Sequence, residues 1–295
     1  MRSNALRILG VHGVKNYQSG LKPDEAAERI AGWWRAAICM GLGRPKDQVG
    51  LISMDVAYYA HQLQRGVAQG DEDPCELDPE VQELIVAWAK ICGAPEETAQ
   101  GWLAAPARVA VEWVADKYGL EHKPARILAS VFFREVQTYF TDSERRLAAT
   151  TDVAEAIRRA APQVVIAHSL GSAVAYEALW VHPHSPVELL LTVGSPLAMP
   201  GIVLDRLRVT KEPRGRPPDV AKWINIADPG DFIAVPRGGI SANFQHVAAD
   251  LTDTIGAFSF HQVTRYLRCG AAAGVLATYL PPLSDYVERR SSDSD

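Results

Sequence analysis

The sequence predicts an α/β protein: a mostly parallel sheet covered by helices on both faces, interrupted by a helical insertion. Three observations carry this. Runs such as ILGV (8–11), VVIA (164–167) and LLL (189–191) carry no polar side chain, as in strands buried on both faces rather than one. These runs alternate with segments whose apolar residues recur at three- and four-residue spacing, the order expected of strand–helix–strand units. Residues 61–145, by contrast, carry helical spacing with little strand signal.

The elements follow in order. ALRILGVHG (5–13) reads as a strand ending in a glycine turn. PDEAAERIAGWWRAAICMGLG (23–43) reads as a helix: Pro23 suits the first turn, Asp24 and Glu25 suit the positive end of the dipole, and Gly41 and Gly43 can stop it. QVGLISMDVAYYA (48–60) is a second strand. DPEVQELIVAWAKIC, TAQGWLAAPARVAVEWVADKYG and ARILASVFFREVQTYFTD form the helical block, with QGDEDPCELDPE (69–80) as an acidic loop.

The core pattern then resumes. TTDVAEAIRRAAP is a helix, QVVIAH a strand, SLGSAVAYEALWVH a helix, VELLLTVGSP and AKWINIADPGD strands, NFQHVAADL a further strand, and FHQVTRYLRCGAAAGVLATYL one long helix. KEPRGRPPD (211–219) is a loop. The predicted organisation is a core of residues 1–60 and 146–283, a helical insertion or cap of 61–145, and a flexible tail of 284–295.

Composition bounds the function. A 295-residue chain with 47% hydrophobic and 22% charged residues can bury a large core without disulfides. The net charge of −5 gives no basic surface, which argues against nucleic acid as a partner. Cys39, Cys75, Cys92 and Cys269 show neither CxxC spacing nor the density of a disulfide framework, so free thiols in a reducing compartment are expected. The start is too short in apolar residues for a signal peptide, and no window reaches the ~18 apolar residues of a membrane span. A cytoplasmic protein without an integral membrane segment is expected.

The chemistry centres on VVIAHSLGS. An alcohol is a weak nucleophile at neutral pH and needs both a base within reach and an exposed oxygen. A sharp strand-to-helix turn supplies the exposure when small residues flank the serine two places before and after. Ala167, Ser169 and Gly171 satisfy that size rule, with Ala where Gly is more usual. The helix that follows brings backbone N–H groups and a positive dipole end to the serine. The simpler alternative is a turn in which Ser169 only caps a helix.

Taken together, the segments resemble the α/β-hydrolase family. ILGVHGV resembles its early strand and oxyanion turn, and VVIAHSLGS its nucleophile elbow. LLTVGSP resembles the next core strand, INIADPGDFIAVP the strand and loop that carry the acid, and FSFHQVTRYL the loop and helix that carry the histidine. The matches keep the family's order of Ser, acid, His and span most of residues 5–268 apart from the helical block and the Pro/Arg loop.

The resemblance implies Ser169 as nucleophile, His261 as general base and then acid, and Asp231 as the carboxylate that orients the imidazole. Asp228 is the rival acid; Asp231 is preferred because it precedes the apolar run and proline of DFIAVP. The implied oxyanion donors are the backbone N–H groups of Leu170 and Val14.

Other histidines are weighed against these. His168 is expected to be structural or to line a pocket, and His12 to shape the oxyanion turn. His246 is a rival base within a strand-like segment. His182 and His184 could bind metal as an H-x-H pair, but a proline-flanked surface loop is preferred because no third ligand lies near. Ser195 is expected to cap a turn. The aromatics Trp88, Trp102, Trp113, Tyr118, Phe132, Phe133, Tyr139 and Phe140 either form a substrate pocket or pack the block's own core.

The expected activity is hydrolysis of a carboxylic ester, lipase- or esterase-like, through an acyl-enzyme and without a cofactor. The expected partner is a small ester or lipid-like substrate. The same triad also suits an acyltransferase or an amidase or peptidase, and the fold can serve as a non-catalytic scaffold that binds a ligand or partner.

Overall fold

The computed structural model describes residues 5–44, 51–64, 73–95, 105–209, 214–256 and 261–280. Within these residues the chain is an α/β protein built on a six-stranded, all-parallel sheet. The strands are β1 (Leu6–Val11), β2 (Ile52–Ala57), β3 (Val164–His168), β4 (Val187–Val193), β5 (Val220–Ala227) and β6 (Ala249–Thr252). Their order across the sheet is β2-β1-β3-β4-β5-β6.

The described helices are α1 (Pro23–Gly41), α2 (Ala60–Leu63), α3 (Pro79–Ile91), α4 (Pro106–Tyr118), α5 (His122–Thr141), α6 (Ser143–Ala160), α7 (Leu170–Val181), α8 (Gly239–Asn243), α9 (Val263–Tyr266) and α10 (Gly270–Ala277). Local chemistry sets several starts. Pro23, Pro79 and Pro106 each open a helix, where a missing N–H costs nothing. The Glu25 carboxylate accepts the Lys22 N–H at 2.9 Å, and the Asp142 side chain accepts the Arg145 N–H at 3.1 Å.

Alternate residues of each strand feed two cores. Ile8, Met54, Ile166, Leu191 and Ile226 face α1, α9 and α10. Leu9, Val11, Val165, Ala167 and Leu190 face α3–α8. β3 is buried on both faces along its whole length, which is why its sequence shows no polar alternation. The connection β1–α1–β2 runs toward one edge over the first face. The later crossovers run toward the other edge over the second face, as right-handed connections require. The direction reverses between β1 and β3, and the carboxyl ends of strands beside such a reversal form a crevice suited to a ligand.

The 61–145 block does not stand apart from the sheet. Val81, Ile85, Trp88, Val111, Phe133 and Val136 share one continuous core with Val11, Val165 and Val174. α6 starts at Ser143, seven residues before the TTDVAEAIRRAAP segment. Tyr139 of α5 and Arg146 of α6 both bond Glu177 of α7, tying the block to the helix that follows β3.

Two elements differ from expectation. The predicted long C-terminal helix is two short ones. Cys269 is extended (φ −67°, ψ 157°), and the Asp253 carboxylate accepts the Ala271 N–H at 2.7 Å, capping a fresh helix start. His246 is not in a strand: it sits in a turn with φ +60°, and β6 begins only at Ala249. Residues 48–50, residues 69–72 of the acidic loop, Trp102, residues 211–213, the FSF of FSFHQV and the 284–295 tail lie outside the described residues.

Candidate active site

The site lies at the carboxyl ends of β1, β3 and β5, over the point where strand order reverses. Ser169 follows β3 directly and has φ +55° and ψ −135°. A non-glycine residue there is strained, and the surroundings hold it. Its N–H donates to Val193 O at 3.2 Å, and its carbonyl accepts from the Ser172 N–H at 2.9 Å and the Ser172 hydroxyl at 2.6 Å.

The need for small neighbours is steric. A Cβ on Gly171 would lie 2.2 Å from His12 O and 2.6 Å from Val11 O, so α7 starts in direct contact with the end of β1. A Cβ on Gly13 would lie 2.4 Å from Ser169 Cβ, so the His12–Val14 turn backs onto the serine.

Three of the expected residues converge. His261 Nε2 lies 2.6 Å from Ser169 Oγ. His261 Nδ1 lies 2.8 Å from Asp231 Oδ2 and 3.1 Å from Oδ1. Ser169 is 0%, Asp231 1% and His261 6% exposed, so the hydrogen-bonded chain is shielded from water. His261, like Ser169, has a positive φ, +62°.

Burial alone would push the Asp231 carboxyl up. The neighbouring imidazole and hydrogen bonds from His261, Tyr266 and Ile233 outweigh it, and the net direction is down. An ionised carboxylate only accepts hydrogen bonds. The proton therefore sits on Nδ1, and Nε2 is free to accept from the Ser169 hydroxyl.

Asp228, the rival acid, is placed elsewhere. Its two oxygens accept the N–H groups of Gly230 and Ile255, each at 2.5 Å, so it clamps the loop after β5. Asp231 Oδ1 takes the Ile233 N–H at 2.8 Å.

Leu170 is the first residue of α7, where a helix N–H has no partner within its own helix. Val14 follows the Gly13 peptide. The Gly13 carbonyl accepts from Asn16 Nδ2 at 3.0 Å and lies 2.9 Å from His12 Nδ1. In a planar trans peptide the Val14 N–H points the opposite way. His12 thus fastens the turn: its Nε2 accepts the Tyr59 N–H at 3.2 Å, its ring stacks on Tyr59 at 4.4 Å, and burial pushes its pKa down to about 4.

Tyr266, which the sequence reading did not single out, and Trp88, weighed there only as a pocket or core aromatic, support the acid. The Tyr266 hydroxyl donates to Asp231 Oδ2 at 2.7 Å. Trp88 Nε1 donates to Phe232 O at 2.7 Å, holding the residue after Asp231 from the helical block. Among the block's aromatics, Trp88, Phe132, Phe133 and Tyr139 are fully buried in the shared core, and Phe132 meets the His261 ring edge-on at 6.3 Å.

The remaining candidates are peripheral. Ser195 Oγ accepts the Leu197 N–H at 3.3 Å and lies 2.7 Å from Ser172 Oγ. The His184 ring lies within hydrogen-bonding distance of Ser185 O and Leu179 O. Among the described residues no cluster of three or more His, Cys, Asp and Glu could hold a metal ion, and no helix is long and apolar enough to cross a membrane.

A cavity of about 580 Å³ opens beside the triad, bordered by Val14, His168 and His261 and walled by Leu120, Leu128 and Val263. Neither family models, curated proteins nor solved structures gave any match to this chain.

Proposed function

We propose that the protein is a serine hydrolase that cleaves a carboxylic ester through an acyl-enzyme, in the manner of the α/β-hydrolases. One observation supports this above all. A buried serine on a strained turn meets an imidazole at 2.6 Å, and that imidazole meets a buried carboxylate at 2.8 Å. A helix-capping serine needs neither partner.

In the first half-reaction the Ser169 oxygen attacks the ester carbonyl as His261 Nε2 takes its proton. The developing oxyanion is met by the N–H groups of Leu170 and Val14. The tetrahedral centre collapses, the C–O bond to the alcohol breaks, and His261 returns the proton to the leaving alkoxide. In the second half-reaction water, deprotonated by the same imidazole, releases the acid and restores Ser169. Asp231 keeps the imidazole in the required tautomer and stabilises its charged form. The four cysteines are all free, which agrees with a cytoplasmic setting for this enzyme.

Labelling by a fluorophosphonate probe tests the proposal. The wild type should label quickly, Ser169→Ala not at all, and Asp231→Asn far more slowly than Asp228→Asn. A folded wild type that takes no label and hydrolyses no short ester would overturn the reading. Adding a competing alcohol or amine separates hydrolysis from acyl transfer by the products formed.

A further inference from the structure

The helical block touches the site at a second place besides Trp88. The Glu135 carboxyl group of α5 accepts the Lys15 N–H at 3.0 Å. Leu128, Phe132 and Glu135 are spaced four and three residues apart on α5 and so share one of its faces. Leu128 walls the cavity, Phe132 meets the His261 ring, and Glu135 meets the turn that follows β1.

That turn is under constraint. Lys15 has φ +61°, a left-handed conformation that a residue with a side chain keeps only when its surroundings hold it there. Two successive peptide planes of the turn are fixed by hydrogen bonds. The Gly13–Val14 plane is held at its carbonyl by Asn16 Nδ2 at 3.0 Å. The Val14–Lys15 plane is held at its carbonyl by the same Asn16 nitrogen at 2.9 Å and at its N–H by Glu135. Without the Glu135 acceptor Lys15 is free to return to an ordinary φ. That rotation turns the Val14–Lys15 plane and, through Asn16, the plane that carries the Val14 N–H. Burial pushes the Glu135 carboxyl up from 4.5 to about 7, against the pull of the Lys15 N–H and Arg134. An apolar side chain would fill the same place without that cost, and what the carboxyl group adds is the bond to Lys15.

Building on the hydrolase reading, we infer that Glu135 is a positioning residue: through the Lys15 N–H it holds the turn after β1 so that the Val14 N–H faces the oxyanion.

The test compares Glu135→Leu, Glu135→Gln and Glu135→Asp with the wild type on a short ester. Losing an oxyanion donor outright costs about 10²–10³ in kcat, and loosening its support should cost about tenfold. Glu135→Leu should show that fall in kcat with KM changed by no more than about twofold. Affinity for a trifluoromethyl ketone, whose adduct with Ser169 places an oxyanion in the same position, should fall by the same factor as kcat. Glu135→Gln keeps an acceptor at the same reach and should recover most of the wild-type rate. Glu135→Asp draws the carboxylate back by one methylene and should resemble Glu135→Leu. A Glu135→Leu enzyme with wild-type kcat, or one impaired through KM alone, overturns the inference, and so does a Glu135→Gln enzyme as slow as Glu135→Leu. If Glu135→Leu does not fold, equal rates in Glu135→Gln and Glu135→Asp overturn it instead. A folded wild type that neither labels with fluorophosphonate nor hydrolyses any ester would sink the hydrolase reading beneath it.

Discussion

The Tyr266 hydroxyl donates to Asp231 Oδ2 at 2.7 Å while it accepts the Asp228 N–H at 2.9 Å. One phenol thus bridges the carboxylate that meets His261 and the backbone of the loop that presents it. Tyr266→Phe removes a hydrogen bond to an ionised acceptor and leaves the Asp228 N–H without that partner. The expected cost is about 2–3 kcal/mol in urea unfolding. The Asp231 pKa should rise, and fluorophosphonate labelling should slow about tenfold, far less than in Asp231→Asn.

That relationship marks where the sequence stops being informative. The strand order of the chemistry is legible: Ser169, Asp231 and His261 stand in short patterns whose residue types answer local needs, namely small neighbours, a turn and a following helix. Tyr266 lies only five residues past His261, but its role depends on where α9 ends. The chain reads as one helix through FHQVTRYLRCGAAAGVLATYL because its apolar spacing continues. The break at Cys269 is enforced by Asp253, 18 residues away, which caps Ala271. Long-range caps of this kind leave no local signal. The same holds for Trp88, whose indole reaches Phe232 O across 144 residues.

The fold beneath the site depends on a buried ion pair. Arg146 Nε donates to Glu177 Oε2 at 2.9 Å, and the Tyr139 hydroxyl donates to the same oxygen at 2.6 Å. The Arg208 N–H donates to Oε1 at 2.7 Å. Removing one partner strands the other charge. Glu177→Leu should lower unfolding free energy by about 3–5 kcal/mol. The double variant Arg146→Met with Glu177→Leu should be less destabilised than Glu177→Leu alone, and a double-mutant cycle in urea measures the difference.

His12 ties stability to pH. Its folded pKa of about 4 lies below the ordinary 6.5 because it is buried. Between those values the unfolded chain binds a proton that the folded one refuses. Its contribution is therefore intact above pH 6.5 and lost as pH falls toward 4, by about 3 kcal/mol in total. His168 acts in the same direction. Glu135, pushed up from 4.5 to about 7 by burial, acts in the opposite one over that interval. Unfolding free energy measured from pH 7.5 to 4 in wild type and His12→Gln isolates the histidine. The gap between the two proteins should narrow as the solution is acidified.

Two glycines separate packing from propensity. Gly171, the second residue of α7, has the carbonyls of Val11 and His12 where a Cβ would go, 2.6 and 2.2 Å away. Gly32 lies in the middle of α1 with nothing within 4 Å of a Cβ. The same substitution should therefore have opposite signs. Gly32→Ala should stabilise by about 0.5–1 kcal/mol, since alanine is the better helix former and narrows the unfolded ensemble. Gly171→Ala must move α7 away from β1, costing about 1–3 kcal/mol or more as overpacking does. That movement carries Ser169 with it, because the serine is the residue joining β3 to α7. Fluorophosphonate labelling should fall steeply in Gly171→Ala and stay at the wild-type rate in Gly32→Ala. A Gly171→Ala protein that labels normally would mean that the serine's position does not depend on the contact between α7 and β1.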